Sequence, residues 1–253
     1  MDDLLEATSR AEARHFWFAG FRRFVRPLLA QAVAGRPRPL ILDCGCGTGA
    51  NLSLIGEFGA AYGFDLSQRG LAFASRSGHH RLARASIGAI PFPDASFDLV
   101  TSFDVIYALP ETVEMAAVKE MHRVLRPGGA LVLNVAAMEI LRGDHSVLSK
   151  ELRRYSRPRL KLVVERAGFE VVHLTHTNAS LFPLMLAVRT IQRIAGLAPP
   201  DEAGIEIATP AAPVNASLKL LLALEAYALR WMNMPCGSSL LCLARKKTGV
   251  SGR

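Results

Sequence analysis

Residues 40–49 read Leu-Ile-Leu-Asp-Cys-Gly-Cys-Gly-Thr-Gly, a hydrophobic run stopped by an acid and followed by glycine at every second position. A run of this kind is a buried strand, and the glycines make the turn after it tight enough for backbone to lie against a ligand. Side chains at Gly45, Gly47 and Gly49 would block that approach, and glycine accepts the positive φ that such turns need. Asp43, at the carboxyl end of the strand, offers an acceptor to a cationic or hydroxylated ligand. The segment therefore constrains the chain to a strand that feeds a binding turn.

Strands and helices alternate beyond it. Strands are expected at 40–43, 60–65, 97–103, 130–135, 169–174 and 239–244, with a short element near 82–87, and helices at 50–58, 68–76, 111–125 and 158–167. Val113, Ala117, Met121 and Val124 set the apolar face of the third helix, and Pro127-Gly128-Gly129 is expected to break the chain before the next strand. Such alternation implies a mostly parallel, doubly wound sheet with helices on both faces. Ligands bind such sheets at the carboxyl ends of the strands, near the point where strand order reverses. The glycine turn and Asp65 both fall there.

Bulk properties bound the rest. Hydrophobic residues are 50% of the 253 and charged ones 21%, which suits a large buried core. No apolar run approaches the roughly 20 residues that span a bilayer. Met1-Asp2-Asp3 is acidic where a signal peptide is basic. The four cysteines, two of them inside the glycine turn, do not make a disulfide framework and read as reduced small hydrophobes of a cytoplasmic protein. The net charge of +8 is mostly arginine, with clusters at Arg22, Arg23, Arg26 and at Arg153, Arg154, Arg157, Arg159. These read as solvated helix faces, or as a surface for an anionic substrate or membrane. No base-stacking aromatics are interleaved with them, which argues against nucleic acid.

Asp65 lies about twenty residues beyond the turn, the spacing at which an acid accepts bonds from ribose hydroxyls. Its plain structural reading is a helix N-cap before Ser67-Gln68-Arg69-Gly70, and the two roles can coexist. The dinucleotide pattern Gly-x-Gly-x-x-Gly is not met, because Ala50 and Leu52 follow Gly49. That argues against nicotinamide and flavin cofactors.

With these residues in view, the chain resembles the class I S-adenosylmethionine-dependent methyltransferases, in the small-molecule branch with the type 11 domain. Four segments carry the resemblance in order over about 40–135: Asp43–Gly49, Gly63–Ser67, Ile90–Val100 and Arg123–Gly129. The resemblance implies a Rossmann-like, seven-stranded sheet with the last strand antiparallel. It implies S-adenosylmethionine as cofactor, with Asp43 and the backbone of Gly45, Cys46 and Gly47 on its methionine portion. Asp65 would hold the ribose and the stretch 86–88, with Ser86 and Ile87, would meet the adenine; Leu66 and Phe103 join this set.

The chain departs from the family at two places. Ala85-Ser86 stands where many relatives have Gly-Asp, so a hydroxyl replaces a carboxylate at the adenine. Asp104-Val-Ile-Tyr-Ala-Leu109 stands where Asp-Val-Leu-Glu-His-Leu is common, so Tyr107 and Ala108 replace an acid and an imidazole near the acceptor. The leader His15-Phe16-Trp17-Phe18 reads as an amphipathic helix packed on the sheet, or as a lid that sets Trp17 against the sulfonium by cation–π attraction. It resembles a branch in which a His-Asp and an Arg-Arg-Tyr follow the fifth strand. The matching residues here are His145 and Arg153-Arg154-Tyr155. That makes His145 and Tyr155 the catalytic candidates, and Tyr107, Arg153 and Arg154 the acceptor-binding ones.

The chain thus divides into an N-terminal helical cap (1–35), a methyltransferase core (36–177 and 236–248) and a helical insertion (178–235). The insertion holds two apolar helices flanked by arginine and tryptophan, suited to roofing a substrate pocket, to a homodimer contact or to a membrane interface. The expected activity is methyl transfer to a small or lipid-like acceptor by in-line displacement. No metal pattern and no Ser/His/Asp arrangement competes with it. Two other readings remain: a non-catalytic partner protein that binds the cofactor, and an RNA methyltransferase, which requires steeply salt-dependent RNA binding.

Overall fold

Strand β4 (Phe97–Phe103) buries all of its residues, as a strand covered by helices on both faces must. A computed structural model of the chain describes residues 11–12, 14–143, 146, 149–195 and 209–248. Around β4 stand β1 (Leu40–Cys44), β2 (Ala60–Asp65), β3 (Leu82–Arg84), β5 (Leu125–Ala136), β6 (Phe169–Thr177) and β7 (Ser239–Lys246). They form one seven-stranded sheet in the order β3-β2-β1-β4-β5-β7-β6. The pairings from β3 across to β5 are parallel, and β7 runs antiparallel to both β5 and β6. This is the Rossmann-like, doubly wound sheet expected from the sequence, last strand antiparallel. Its order reverses between β1 and β4, so the carboxyl ends of those two strands flank the switch point.

Successive side chains point to opposite faces of a strand, and the two faces have separate cores. Leu42, Val100 and Leu131 pack with Val118 and Met121 of α4 (Glu111–Val124) and with Val164 of α5 (Arg157–Arg166). Their neighbours Ile41, Leu99 and Val132 face the other way. They meet Val25 and Leu29 of α1 (Phe16–Ala32), Leu52 of α2 (Ala50–Gly56) and Leu71 of α3 (Gln68–Arg76).

The Pro127-Gly128-Gly129 sequence behaves differently from expectation. It does not end the element but makes a bulge: Phe97 pairs with Leu125, and the next pair, at Leu99, is with Ala130. Gly128 takes a φ of 72°, which lets the extra residues loop out while the chain stays in the sheet.

Between β6 and β7 the chain forms α6 (Phe182–Ala195) and α7 (Ala212–Ala228). Helix α7 is built into the protein by two buried polar side chains. Asn215 accepts a bond from the Phe16 amide at 2.8 Å and donates to the Arg14 carbonyl at 2.9 Å, which fixes the start of α1. Glu225 accepts from the Ala179 and Ser180 amides, both at 2.9 Å, just before α6 begins. Leu222 sits between them, fully buried against Gly20 of α1, where a Cβ would stand 2.4 Å from its Cδ1. No helix among the described residues is long and apolar enough to cross a membrane.

Candidate active site

The glycine turn has most of its amides, those of Gly45, Cys46, Gly47 and Gly49, committed inside the protein. Gly45 and Cys46 donate to the Phe64 carbonyl at 2.9 and 3.0 Å, and Gly47 donates to Asp65 Oδ2 at 2.8 Å. Gly45, Gly47 and Gly49 all take positive φ. What a side chain at Gly45 would strike is protein rather than ligand, since a Cβ there would come within 2.5 Å of Val105. What the turn mainly offers an arriving group is therefore oxygen, from its carbonyls and from Asp43.

Asp43 is buried at the end of β1. Thr101 donates to its Oδ1 at 2.7 Å, whereas Oδ2 is buried with no partner among the described residues. Burial raises its carboxyl to about 7; the nearby Asp65 carboxylate adds to the rise and the Thr101 bond opposes it. A buried acid with an unused oxygen is costly unless a cation or donor arrives to meet it.

Asp65, at the end of β2, is half-buried. Its two oxygens accept from the Gly47 and Ser67 amides, each at 2.8 Å. The helix N-cap is not Asp65 but Ser67, whose Oγ accepts from the Gly70 amide. A carboxylate has about four lone-pair positions, so Asp65 keeps capacity for further donors. Beside it Leu66 is 67% exposed, an apolar side chain held out over the same strand ends.

Trp17, Phe18 and Phe21 of α1 close over a small cavity walled by Arg22, Asn51 and Asp104. Phe21 also packs edge-to-face on Phe103, with ring centres 5.1 Å apart. Below the aromatics, Thr48 of the glycine turn donates to the Glu12 carboxylate at 2.9 Å, and Arg22 donates to the Glu12 carbonyl. These bonds latch the leader to the turn. The leader packs on the sheet, as the amphipathic-helix reading expected, and its first turns carry Trp17 and Phe18 to the cavity.

Asp104 is the functional candidate that sequence reasoning passed over. It follows β4 in a left-handed conformation, φ 59°, uncommon for a residue with a side chain. Asn134 Nδ2 donates to its Oδ1 at 2.9 Å. Asp104 is exposed at the cavity wall, with protein packed around the inner side of its carboxyl. Crowding raises its carboxyl to about 7, with the nearby Glu151 adding to the rise and the Asn134 bond and Arg154 opposing it. The one signal in the sequence was its place, an acid at the carboxyl end of the strand beside β1.

The matches with known proteins follow this geometry. The sequence profile of the family described as "Methyltransferase domain" matches residues 42–133, from β1 through most of β5. Residues 42–133 form a methyltransferase domain of the class I S-adenosylmethionine-dependent kind. The chain is 30% identical over 161 residues to a probable S-adenosylmethionine-dependent methyltransferase of Mycolicibacterium smegmatis, covering 62% of this chain and 60% of that one. It is 30% identical over 149 residues to a ubiquinone/menaquinone biosynthesis C-methyltransferase of a Shewanella species, covering 54% and 57%. The chain therefore spans less than two thirds of the length of either relative. A Thermotoga maritima structure, described as a possible histamine N-methyltransferase, superposes with a TM-score of 0.59 at 20% identity over 98% of this chain and all of that one. That likeness supports the fold.

Methyltransferase domains of this kind use S-adenosylmethionine, and this chain has residues that fit it. The orphaned Asp43 oxygen suits an ammonium, Asp65 suits vicinal hydroxyls, and Leu66 suits a flat apolar ring.

Other expected site residues stand elsewhere. The Cys46 side chain is buried against Gly63, so only its backbone lies in the turn, and Ile87 is likewise turned into the core. Ser86 is exposed, with its Oγ accepting from the Gly88 amide at 3.3 Å. Tyr107 is buried, and its carbonyl accepts from the Leu152 and Arg153 amides. Arg153 donates to the Leu109 carbonyl at 2.6 Å, and Arg154 donates to Glu151 at 2.9 Å and to the Ala137 carbonyl at 2.8 Å. Both guanidiniums are spent as clamps and do not offer an acceptor site. Tyr155 is fully buried, its hydroxyl bonded to Glu114, with burial and that acid raising its pKa far out of reach of a neutral-pH base. The geometry removes Tyr155 as a catalytic group and gives it a structural one. His145 lies outside the described residues.

Proposed function

We propose that this methyltransferase transfers a methyl group from S-adenosylmethionine to a small, largely apolar acceptor. The observation that carries the reading is the buried Asp43 oxygen without a partner among the described residues, beside a turn whose Gly45, Cys46 and Gly47 amides are already spent. That arrangement favours a cation at the end of β1, and the ammonium of an amino-acid tail is one. Asp65 accepts from ribose hydroxyls, and Leu66 covers a face of the purine.

When bound, the cofactor supplies an electrophilic sulfonium methyl, so the protein's task is alignment and exclusion of water. Positioning of two reactants can supply several kcal/mol of the barrier, roughly 7–11 in the best cases. Trp17, Phe18 and Phe21 roof the cavity and limit the side from which water enters it. Asp104, poised near neutrality at the wall of that cavity, takes the proton that an oxygen, nitrogen or carbon acceptor gives up. The mostly aromatic roof suits an apolar acceptor. The Shewanella relative's name, a C-methyltransferase of quinone biosynthesis, points to a prenylated aromatic ring as the first class to try.

The test is incubation with methyl-labelled cofactor and a panel of hydroxylated and amino aromatics, with and without isoprenoid tails. Labelled product in the organic phase, together with the demethylated cofactor, is the expected result. Cofactor binding with no label transferred to any of the panel would favour the partner-protein reading instead.

A further inference from the structure

We infer that the outer face of α6 and α7 docks the protein on an anionic lipid surface. The inference stands on these two helices alone and does not draw on methyl transfer. The inner side of α7 is occupied by Asn215, Leu222 and Glu225, which hold α1 and α6. Its outer side repeats at helical spacing through Leu220, Leu224 and Tyr227 to Trp231 beyond its end, and all are exposed, Trp231 by 80%. Helix α6 carries its own exposed stripe, including Leu184 and Ile191. Isolated apolar side chains on a surface are ordinary, but rows of them on successive helices mark a contact.

Charge selects the partner. Among the described residues of 182–195 and 212–232, Glu225 is the one acid, and it is buried and turned inward. Lys219 and Arg230 remain on the outside, and Arg230 lies over the Tyr227 ring at 5.5 Å. An apolar stripe edged by cations and ending in Tyr and Trp matches the interface of a bilayer with anionic headgroups. Two copies of this face would instead bring like charges together with no outward acid among the described residues of the two helices to answer them. Since α7 also fastens the start of α1, the docking helix touches the roof of the cavity directly.

The experiment is co-sedimentation with vesicles of phosphatidylcholine alone or mixed with phosphatidylglycerol, using the full chain and a Leu224→Glu/Trp231→Ser variant. Both substituted positions are exposed, so the variant's thermal melt serves as the folding control. Wild type is expected to partition about thirtyfold more strongly onto the anionic vesicles, the contribution of roughly two surface cations. The variant is expected to remain in the supernatant with an unchanged melt. Equal partitioning on both vesicle types, none on either, or retention by the variant would overturn the inference. So would light scattering that finds a dimer in wild type and a monomer in the variant.

Discussion

Glu114 and Asp43 are both acids buried to about 2% or less, and they sit in opposite circumstances. Glu114 takes the Tyr155 hydroxyl, an Arg159 guanidinium at 3.1 Å and Arg153 at 3.7 Å. Asp43 has one threonine and an oxygen with nothing to bind. Glu151, paired with Arg154, repeats the first pattern. Desolvating a carboxylate is expensive, and a guanidinium with good geometry offsets the cost. Where the chain supplies that partner itself, as beyond β5, the acid joins one segment to another. Where it withholds the partner, as in the glycine turn, the partner has to come from outside. Sequence alone does not separate the two cases, because the arginines that answer Glu114 lie some forty residues away.

Several substitutions can break or sharpen this contrast. The largest effect is expected at Asp104, which shares the raised carboxyl of Asp43 but faces the cavity. Asp104→Asn should lower the methyl-transfer rate by about 10²–10⁴-fold, the usual size of a lost general base. Cofactor affinity measured by calorimetry should stay within a few-fold of wild type. In wild type the rate should climb with pH through about 7 as the carboxyl ionises, and the variant should lose that rise.

Glu114→Ala removes the acid shared by this cluster and leaves Tyr155 and two arginines without it. Unfolding free energy by denaturant titration should fall by about 3 kcal/mol, at the low end for breaking a buried pair because Arg159 is partly solvated. Cofactor affinity in the folded fraction should be retained; its loss would erase the distinction between the two regions. Asp65→Ala, in the other region, should reverse the pattern. Affinity for the cofactor should drop about 100-fold, the loss of one or two bonds to a charged acceptor at roughly 1.5–3 kcal/mol each.

The smallest effect is a pH dependence of stability from Asp43. Its folded pKa, about 7, lies above the ordinary 3.8. Between those values the ligand-free fold holds a proton that the unfolded chain has released, so stability falls as pH rises through that window. Asp43→Asn should flatten the slope, raising Tm relative to wild type at high pH and leaving it nearly unchanged near pH 4.

Much of the fold was legible because parallel strands covered on both faces must be nearly all apolar. Residues 97–103 and 60–65 are bounded in the structure as the sequence suggested, and so is the helix at 68–76. The Pro-Gly-Gly bulge was not legible, since a turn signal reads the same whether the chain leaves the sheet or loops out and returns. In the site, the turn and Asp65 announced themselves through spacing. Arg153, Arg154 and Tyr155 misled because clustered basic residues look available until their partners, Glu151, Glu114 and carbonyls far along the chain, are known. Asp104 went unmarked because its left-handed backbone and its place beside the α1 roof are properties of the assembled sheet.

The central claim is that Asp43 waits, protonated, for a cation. Calorimetric titration of the protein with the demethylated cofactor, near pH 6 in two buffers of different ionisation enthalpy, tests it directly. Binding should expel the proton held by Asp43, so the apparent heat should change with the buffer in wild type and not in Asp43→Asn, whose affinity should also be weaker. Binding with no proton released, or a variant that binds as tightly as wild type, would contradict the account.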